Sequence, residues 1–294
     1  HSKEFGRIAT QNAKNVILQK IREEERKVLY DQYYGMEKEV VTGIVQRVMG
    51  KNVSVNLGKA DGILSENEQV KGEEFEPTER IKVYILEVKD TPKGPRILLS
   101  RTHPGLVKRL FESEVAEVKD GTVEIKSIAR EAGSRTKIAV WSNDPDVDPV
   151  GACVGMNGAR VNSIVEELRG EKIDIINWDE NPAILIENAL SPAKVIAVMA
   201  DPDEKTALVV VPDYQLSLAI GKEGQNARLA ARLTGFKIDI KSETQARESG
   251  ELYDYDDEDE YYDEEEYSEE GAVESEKTET EETEEVSEET TVEE

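Results

Sequence analysis

The sequence predicts a multidomain chain: an N-terminal helix, a small five-stranded β-barrel, two copies of one α/β unit, and a disordered acidic tail. Three observations predict it. Apolar residues between Glu39 and Arg101 alternate with a period of two, a Gly-x-x-Gly loop recurs inside one order of helices and strands, and acidic charge is concentrated at one end. A chain of 294 residues also exceeds the ~100–200 residues usual for one domain.

The first element is a helix. Phe5, Ala9, Ala13, Val16, Ile17 and Ile21 recur at three- and four-residue spacing, which places them on one face through about Val28. A connector helix accounts for this pattern, and docking on a partner protein is the alternative. The chain opens on His1 rather than Met and in mid-pattern, so an upstream portion is expected to be missing and residues 1–38 to be a helical remnant.

From 39 to 103 the period is that of strands. "VVTGIVQRV", "NVSVNL", "DGIL", "RIKVYILEV" and "RILLS" are separated by turns rich in Gly, Lys, Asn, Asp and Pro. Val53, Val55 and Leu57 alternate, as do Ile81, Val83 and Ile85, so each strand buries one face. Five short antiparallel strands in this length suit a Greek-key barrel of the OB type. Tyr84 is the only aromatic on these strands, which puts a base-stacking role for the barrel in doubt.

The next two segments, 104–178 and 179–243, share one order: helix, strand, strand, short helix, Gly-x-x-Gly, helix, strand. The first holds the helix "HPGLVKRLFESEVAEV" and a short helix with Pro149 at its first position. In the second, Asn181 precedes Pro182 as a cap, and Asp213 is placed to cap a helix running to Ile220. Gly155 and Gly158 map onto Gly221 and Gly224 at an offset of 66 residues. Leu168, Gly170, Lys172 and Asp174 map onto Leu233, Gly235, Lys237 and Asp239 at 65, as one residue lost in a helix would produce. A single Gly-x-x-Gly is a weak signal, but its repetition in matching surroundings is a strong one.

Residues 244–294 lack periodic hydrophobics. Of 64 acidic residues, 24 lie in 249–294 beside one lysine, Lys277, so this segment carries −23 of the total −27. Such a composition buries too little apolar surface to offset chain entropy, and the tail is expected to be disordered. The remaining 1–248 are nearly balanced, with 40 acidic and 36 basic residues, which leaves nucleic acid open as a partner.

Chemistry narrows the function further. His1 and His103 form no metal pair, and the single Cys153 has no Cys–His motif beside it, so catalysis finds little support and no cofactor is expected. "DPDVDPVG" begins like a calcium loop but has Pro149 at the position that needs glycine and Gly155 where the bidentate glutamate belongs. One cysteine excludes an internal disulfide and fits a reducing cytosol, hence a cytoplasmic location. No apolar run is long enough for a membrane span.

The paired loops have a chemistry of their own. Glycines let the backbone turn tightly and approach a sugar-phosphate strand, and the helix after each loop presents amide N–H groups and partial positive charge. Met156 and Asn157 between the first pair of glycines are therefore as tolerable as Lys222 and Glu223 between the second. Loops of this kind clamp the nucleic-acid backbone in KH domains.

The stretches "LLSRTHPGLV", "REAGSRTKIAV", "DPVGACVG" and "GEKIDII" stand in an order that resembles the bacterial transcription elongation factor NusA family, over roughly residues 5–242. The resemblance implies an OB-fold RNA-binding barrel and two packed KH domains of prokaryotic topology. It also implies an RNA-binding, non-catalytic, monomeric factor that modulates elongation, pausing, termination and antitermination. Its implied partners are single-stranded nascent RNA, RNA polymerase and other antitermination factors. Carried onto this chain, the RNA contacts are Gly155, Met156, Asn157, Gly158 and Arg160 in the first unit. In the second they are Gly221, Lys222, Glu223 and Gly224, with Arg228 and, on the same helix face, Arg232. Arg130, Arg135 and Lys137 cluster about a glycine turn, either as phosphate contacts or as a brace between domains. The alternatives are the RNA-binding region of a phosphorolytic ribonuclease, an RNA-binding factor of translation, and an acidic scaffold that does not bind RNA.

Overall fold

The computed structural model describes residues 6–250. Phe5, the first residue of the expected helical stripe, and the acidic segment from Glu251 onward lie outside the described residues.

The N-terminal helix α1 (Arg7–Tyr34) runs six residues past its expected end. Its last turns pack on the barrel: Tyr33 is buried in the barrel core and donates its hydroxyl to the Leu57 carbonyl at 3.1 Å. Earlier in the helix the apolar stripe is uncovered, with Val16, Ile17 and Ile21 all about half exposed.

Five strands come next: β1 (Val40–Met49), β2 (Asn52–Asn56), β3 (Asp61–Leu64), β4 (Arg80–Lys89) and β5 (Arg96–Ser100). They close into a barrel in the order β1-β2-β3-β5-β4. The expectation of purely antiparallel pairing needs correction, because β3 and β5 pair in parallel, Ile63 opposite Leu98. A closed ring of five strands cannot alternate direction all the way round, so one parallel pair is a geometric necessity. Val53, Val55, Ile81, Val83 and Ile85 fill the interior as their alternation predicts. Gly62 allows the packing, since a Cβ there would lie 2.5 Å from Leu99 Cδ1.

The first α/β unit contains α2 (Pro104–Glu114), α3 (Ala116–Lys119), β6 (Val123–Glu131), β7 (Arg135–Ser142), α4 (Pro149–Val154), α5 (Ala159–Glu167) and β8 (Lys172–Asn177). The single helix expected over 103–118 is broken at Val115, whose backbone is extended and whose side chain is fully buried. Strands β6 and β7 are antiparallel, and β7 and β8 parallel. Asp148 caps α4 by accepting from the Val150 and Gly151 amides, so its carboxylate closes a helix end.

The second unit repeats the order with α6 (Pro182–Ala189), β9 (Ala197–Asp201), β10 (Thr206–Val211), α7 (Leu216–Ile220), α8 (Gln225–Thr234) and β11 (Lys237–Ser242). Its sheet has the same mixture, β9 antiparallel and β11 parallel to β10. Asn181 caps α6 as expected. Asp213 does not cap the helix it precedes: its carboxylate accepts from the Thr244 amide and hydroxyl instead. That contact belongs to α9 (Glu243–Glu248), a helix inside the segment expected to be tail. Ser242 and Gln245 form a reciprocal capping box at its start.

The two units share one core. Ala129, Ala139 and Ile176 from the first sheet pack with Leu185, Ile186, Val209, Leu229 and Leu233 of the second unit. The other face of the first sheet, with Ile138 and Val140, packs on Leu106, Phe111, Cys153 and Ile164. Burial there pushes the Cys153 thiol up to about 11, and a protonated, inaccessible thiol reacts slowly. Cys153 is expected to resist iodoacetamide in the native protein and to react in urea, a contrast readable by mass spectrometry.

Arg101 locks the barrel to the first unit. Its guanidinium, 1% exposed, pairs with both oxygens of Glu73 at 2.6 and 2.7 Å. It also donates to the carbonyls of Lys82 in β4 and of Glu167 at the end of α5. Beside it Tyr84 stacks on His103, rings 4.7 Å apart, and a Cβ on Gly105 would lie 2.7 Å from that tyrosine.

Candidate nucleic-acid interface

The two Gly-x-x-Gly loops are built alike to within a few degrees. Gly155 ends α4 with φ 74° and ψ 174°, Asn157 takes φ 53° and ψ 27°, and Gly158 opens α5 at φ 75° and ψ 13°. Gly221 has φ 74° and ψ 174°, Glu223 φ 53° and ψ 26°, and Gly224 φ 72° and ψ 16°. The first glycine of each pair is needed for space as well as for its positive φ. A Cβ on Gly155 would come 2.8 Å from Arg160 Cγ, and one on Gly221 would come 2.8 Å from Asn226 Cβ. The middle residues Met156, Asn157, Lys222 and Glu223 are all exposed, Met156 at 84%. Each loop thus offers a bare turn at the start of a helix of nine or more residues, where phosphate oxygens are favoured.

Arg160 is engaged within its own unit, although its side chain stays 36% exposed. Its stem covers Gly155, and Nη1 donates to the Ala152 carbonyl at 2.6 Å and to Glu117 at 2.9 Å. Its counterpart in the second unit, 66 residues on, is Asn226, which is buried and donates to the carbonyls of Ala219 and Leu190. Both side chains hold the end of the preceding short helix, so the repeat keeps a task while changing the residue.

Arg228 flanks the second loop. Nη1 donates to the Glu223 carbonyl at 3.1 Å, and Nε donates to Glu131 Oε1 of the first unit at 2.5 Å. Glu131 also accepts from Gln225 at 2.9 Å and lies 3.8 Å from Arg232. The Arg228 hydrogen bond holds the Glu131 carboxyl below the usual range, against the opposing effect of burial.

The hairpin cations divide from the loops. Arg130 is paired face to face with Glu171, both contacts 2.8 Å and both side chains 1% exposed, and donates to the His103 carbonyl at 2.9 Å. Lys137 has a fully buried side chain that donates to the Ser191 carbonyl at 2.7 Å and lies 3.2 Å from Asp174. Burial lowers the Lys137 pKa from its ordinary value, although Asp174 opposes this. Of the two sequence alternatives, the geometry of Arg130 and Lys137 is that of braces, because neither cation reaches solvent. Arg135, partly exposed, is engaged by Asp174 at 2.6 Å.

Two hollows adjoin this surface. One, of ≈ 690 Å³, lies between the two units beside the start of α4, with Val150, Ile175, Asn177 and Asn188 in its wall. The other, of ≈ 490 Å³, is where all three folded parts meet: Gln69 and Lys71 of the barrel region, Glu131 and Ser134 of the hairpin, Lys222 and Arg228 of the second loop. On the described barrel strands the one aromatic, Tyr84, is 7% exposed and stacked on by His103, so it does not present a free ring face.

Sequence reasoning missed Arg101, Glu171, Asn226 and Gln225. Only Asn226 carried a signal, by its place at the repeat offset from Arg160.

A five-stranded OB-type barrel fused to two KH units, each with an exposed Gly-x-x-Gly loop, defines a nucleic-acid-binding protein of the RNA-associated class. Residues 35–100 match the S1 RNA binding domain, 101–178 the NusA-like first KH domain, 182–248 the NusA-like second KH domain, and 1–27 the NusA N-terminal domain. The chain is 61% identical over 248 residues to the transcription termination/antitermination protein NusA of Bacillus subtilis, covering 84% of this chain and 67% of that one. The proteins of the same name from Halalkalibacterium halodurans and Mycobacterium tuberculosis are 58% and 50% identical, over 86% and 81% of this chain and 66% and 72% of theirs. The chain belongs to the NusA family. It spans about two thirds of the length of these relatives, whose names are those of transcription factors rather than enzymes. Among the described residues no helix is long and apolar enough to cross a membrane.

Proposed function

We propose that this chain holds single-stranded nascent RNA across its two KH units and acts in transcription termination and antitermination in the cytoplasm, beside RNA polymerase. The observation that carries this reading is the doubling of one loop geometry, with the same backbone angles at Gly155–Gly158 and Gly221–Gly224. Phosphates are held at the helix starts by backbone N–H groups, with Arg228 and Arg232 adding charge at the second loop. Unstacked bases enter the hollow between the units, where Val150 and Ile175 offer apolar contact and Asn177 and Asn188 offer hydrogen bonds. Arg160, held by Glu117 and Ala152, shapes the first loop rather than reaching the strand. Contacts with polymerase and with other antitermination factors are inferred from the names of the relatives.

Photocrosslinking of a labelled single-stranded RNA, mapped by residue, tests the reading. Adducts are expected in both loops and in the hollow between the units. Adducts confined to the barrel would overturn it.

A further inference from the structure

The two loops match in backbone but differ in one neighbour. At the position four residues beyond the second glycine stands Asn162 in the first unit and Arg228 in the second. Asn162 is neutral, whereas Arg228 is held by a carboxylate from the other unit. Glu131 sits at the end of β6 and takes two hydrogen bonds from the Arg228 guanidinium, at 2.5 and 3.2 Å, and a third from Gln225. Arg228 in turn holds the Glu223 carbonyl inside the second loop. The carboxylate therefore presents to the clamp arginine the same two-oxygen face that a phosphate would.

Resting on the RNA-binding reading above, we propose that Glu131 is a resident phosphate surrogate on the second loop, which RNA must displace from Arg228 to be gripped there. Several features make the exchange feasible. Arg228 and Arg232 are 44% and 56% exposed, so both can turn to an incoming strand without breaking the core. Lys222 and Lys71 line the same hollow and favour an arriving phosphate. Glu131 retains Gln225 when Arg228 leaves, so the carboxylate is not stranded. In contrast Glu171, bound to the same hairpin, is sealed with Arg130 and cannot exchange. The loops are thus unequal: the first is open to RNA, and the second is latched until a strand already held displaces the carboxylate.

The test measures affinity of the full chain for labelled oligouridylate at low salt, with Glu131→Gln, Arg228→Gln and the double variant. Glu131→Gln is expected to bind about three- to fivefold tighter, the scale of one well-formed exposed ion pair. Arg228→Gln should bind more weakly, and in its background the gain from Glu131→Gln should shrink, because only the longer 3.8 Å contact with Arg232 is left to release. Unchanged or weaker binding by Glu131→Gln would make Glu131 a brace and overturn the proposal. Tightening that persists undiminished without Arg228 would also overturn it, because the effect would then not run through that arginine. In the unsubstituted protein, the Arg228 Nε–H resonance, identified by its loss in Arg228→Gln, should move on adding oligouridylate. A resonance that stays in place overturns the exchange whatever the variants do. Failure of the parent reading looks different, since aspartates placed in the loops would then leave affinity untouched.

Discussion

Arg130→Ala is expected to destabilise the folded chain by about 3–5 kcal/mol, the cost of leaving one member of a buried ion pair without its partner. Glu171, 1% exposed, would keep only the Thr136 hydroxyl at 2.6 Å and the Gly133 amide at 2.8 Å. Two donors do not compensate a carboxylate withdrawn from water. Urea denaturation measures the effect, and a loss below about 1 kcal/mol would show that the pair is hydrated in solution. Removing both charges with Arg130→Met and Glu171→Gln should cost less than Arg130→Ala alone, because no buried charge is then stranded. The pair also makes an acid prediction. Burial alone would raise the Glu171 pKa, but Arg130, Thr136 and Gly133 hold it below the ordinary value. A depressed folded-state pKa means that the contribution is present above the ordinary glutamate range and is lost as pH falls through the lower folded value. Stability should therefore decline in acid, and less so in the double variant.

Placing aspartates at Met156, Asn157, Lys222 and Glu223 together is expected to weaken RNA binding roughly a hundredfold at low salt. Like charges about 4 Å apart repel by about 1 kcal/mol in water. Three of the four changes alter charge, Met156 and Asn157 by one unit each and Lys222 by two, so the loops move by four units. All four positions are exposed, and aspartate accepts the positive φ at 157 and 223. The melting temperature should accordingly stay near that of the parent. Filter binding or fluorescence anisotropy reads the affinity, and an unchanged value would end the clamp model.

How much of the fold is legible in the sequence depends on the range of the interaction involved. Val53, Val55, Ile81 and Val83 announce a barrel because alternation is a local property, and the barrel core bears it out. The Gly-x-x-Gly repeat announces two similar units because both glycines are fixed by backbone conformation at four-residue range. The partners of Arg130 and Arg228 lie 41 and 97 residues away, and no period or motif encodes that pairing. Arg160 and Arg228 thus read alike in sequence, yet one is engaged within its own unit and the other reaches across to a neighbour. Helix α9 is legible, since Ser242 and Gln245 spell a capping box, but the acidity of the residues beyond it masks the signal.

The shared core of the two KH units has a consequence for length measurement. Because Ala139 and Ile176 are packed among Leu185, Leu229 and Leu233, the loops are joined by solid protein and not by a tether. A strand gripped at the first loop meets the second at one separation, and a flexible linker's spread of separations is absent. Under the proposed binding mode the pair acts as a gauge: nucleotides inserted between the two contact points must bulge out, and nucleotides removed cannot be made up by stretching the protein.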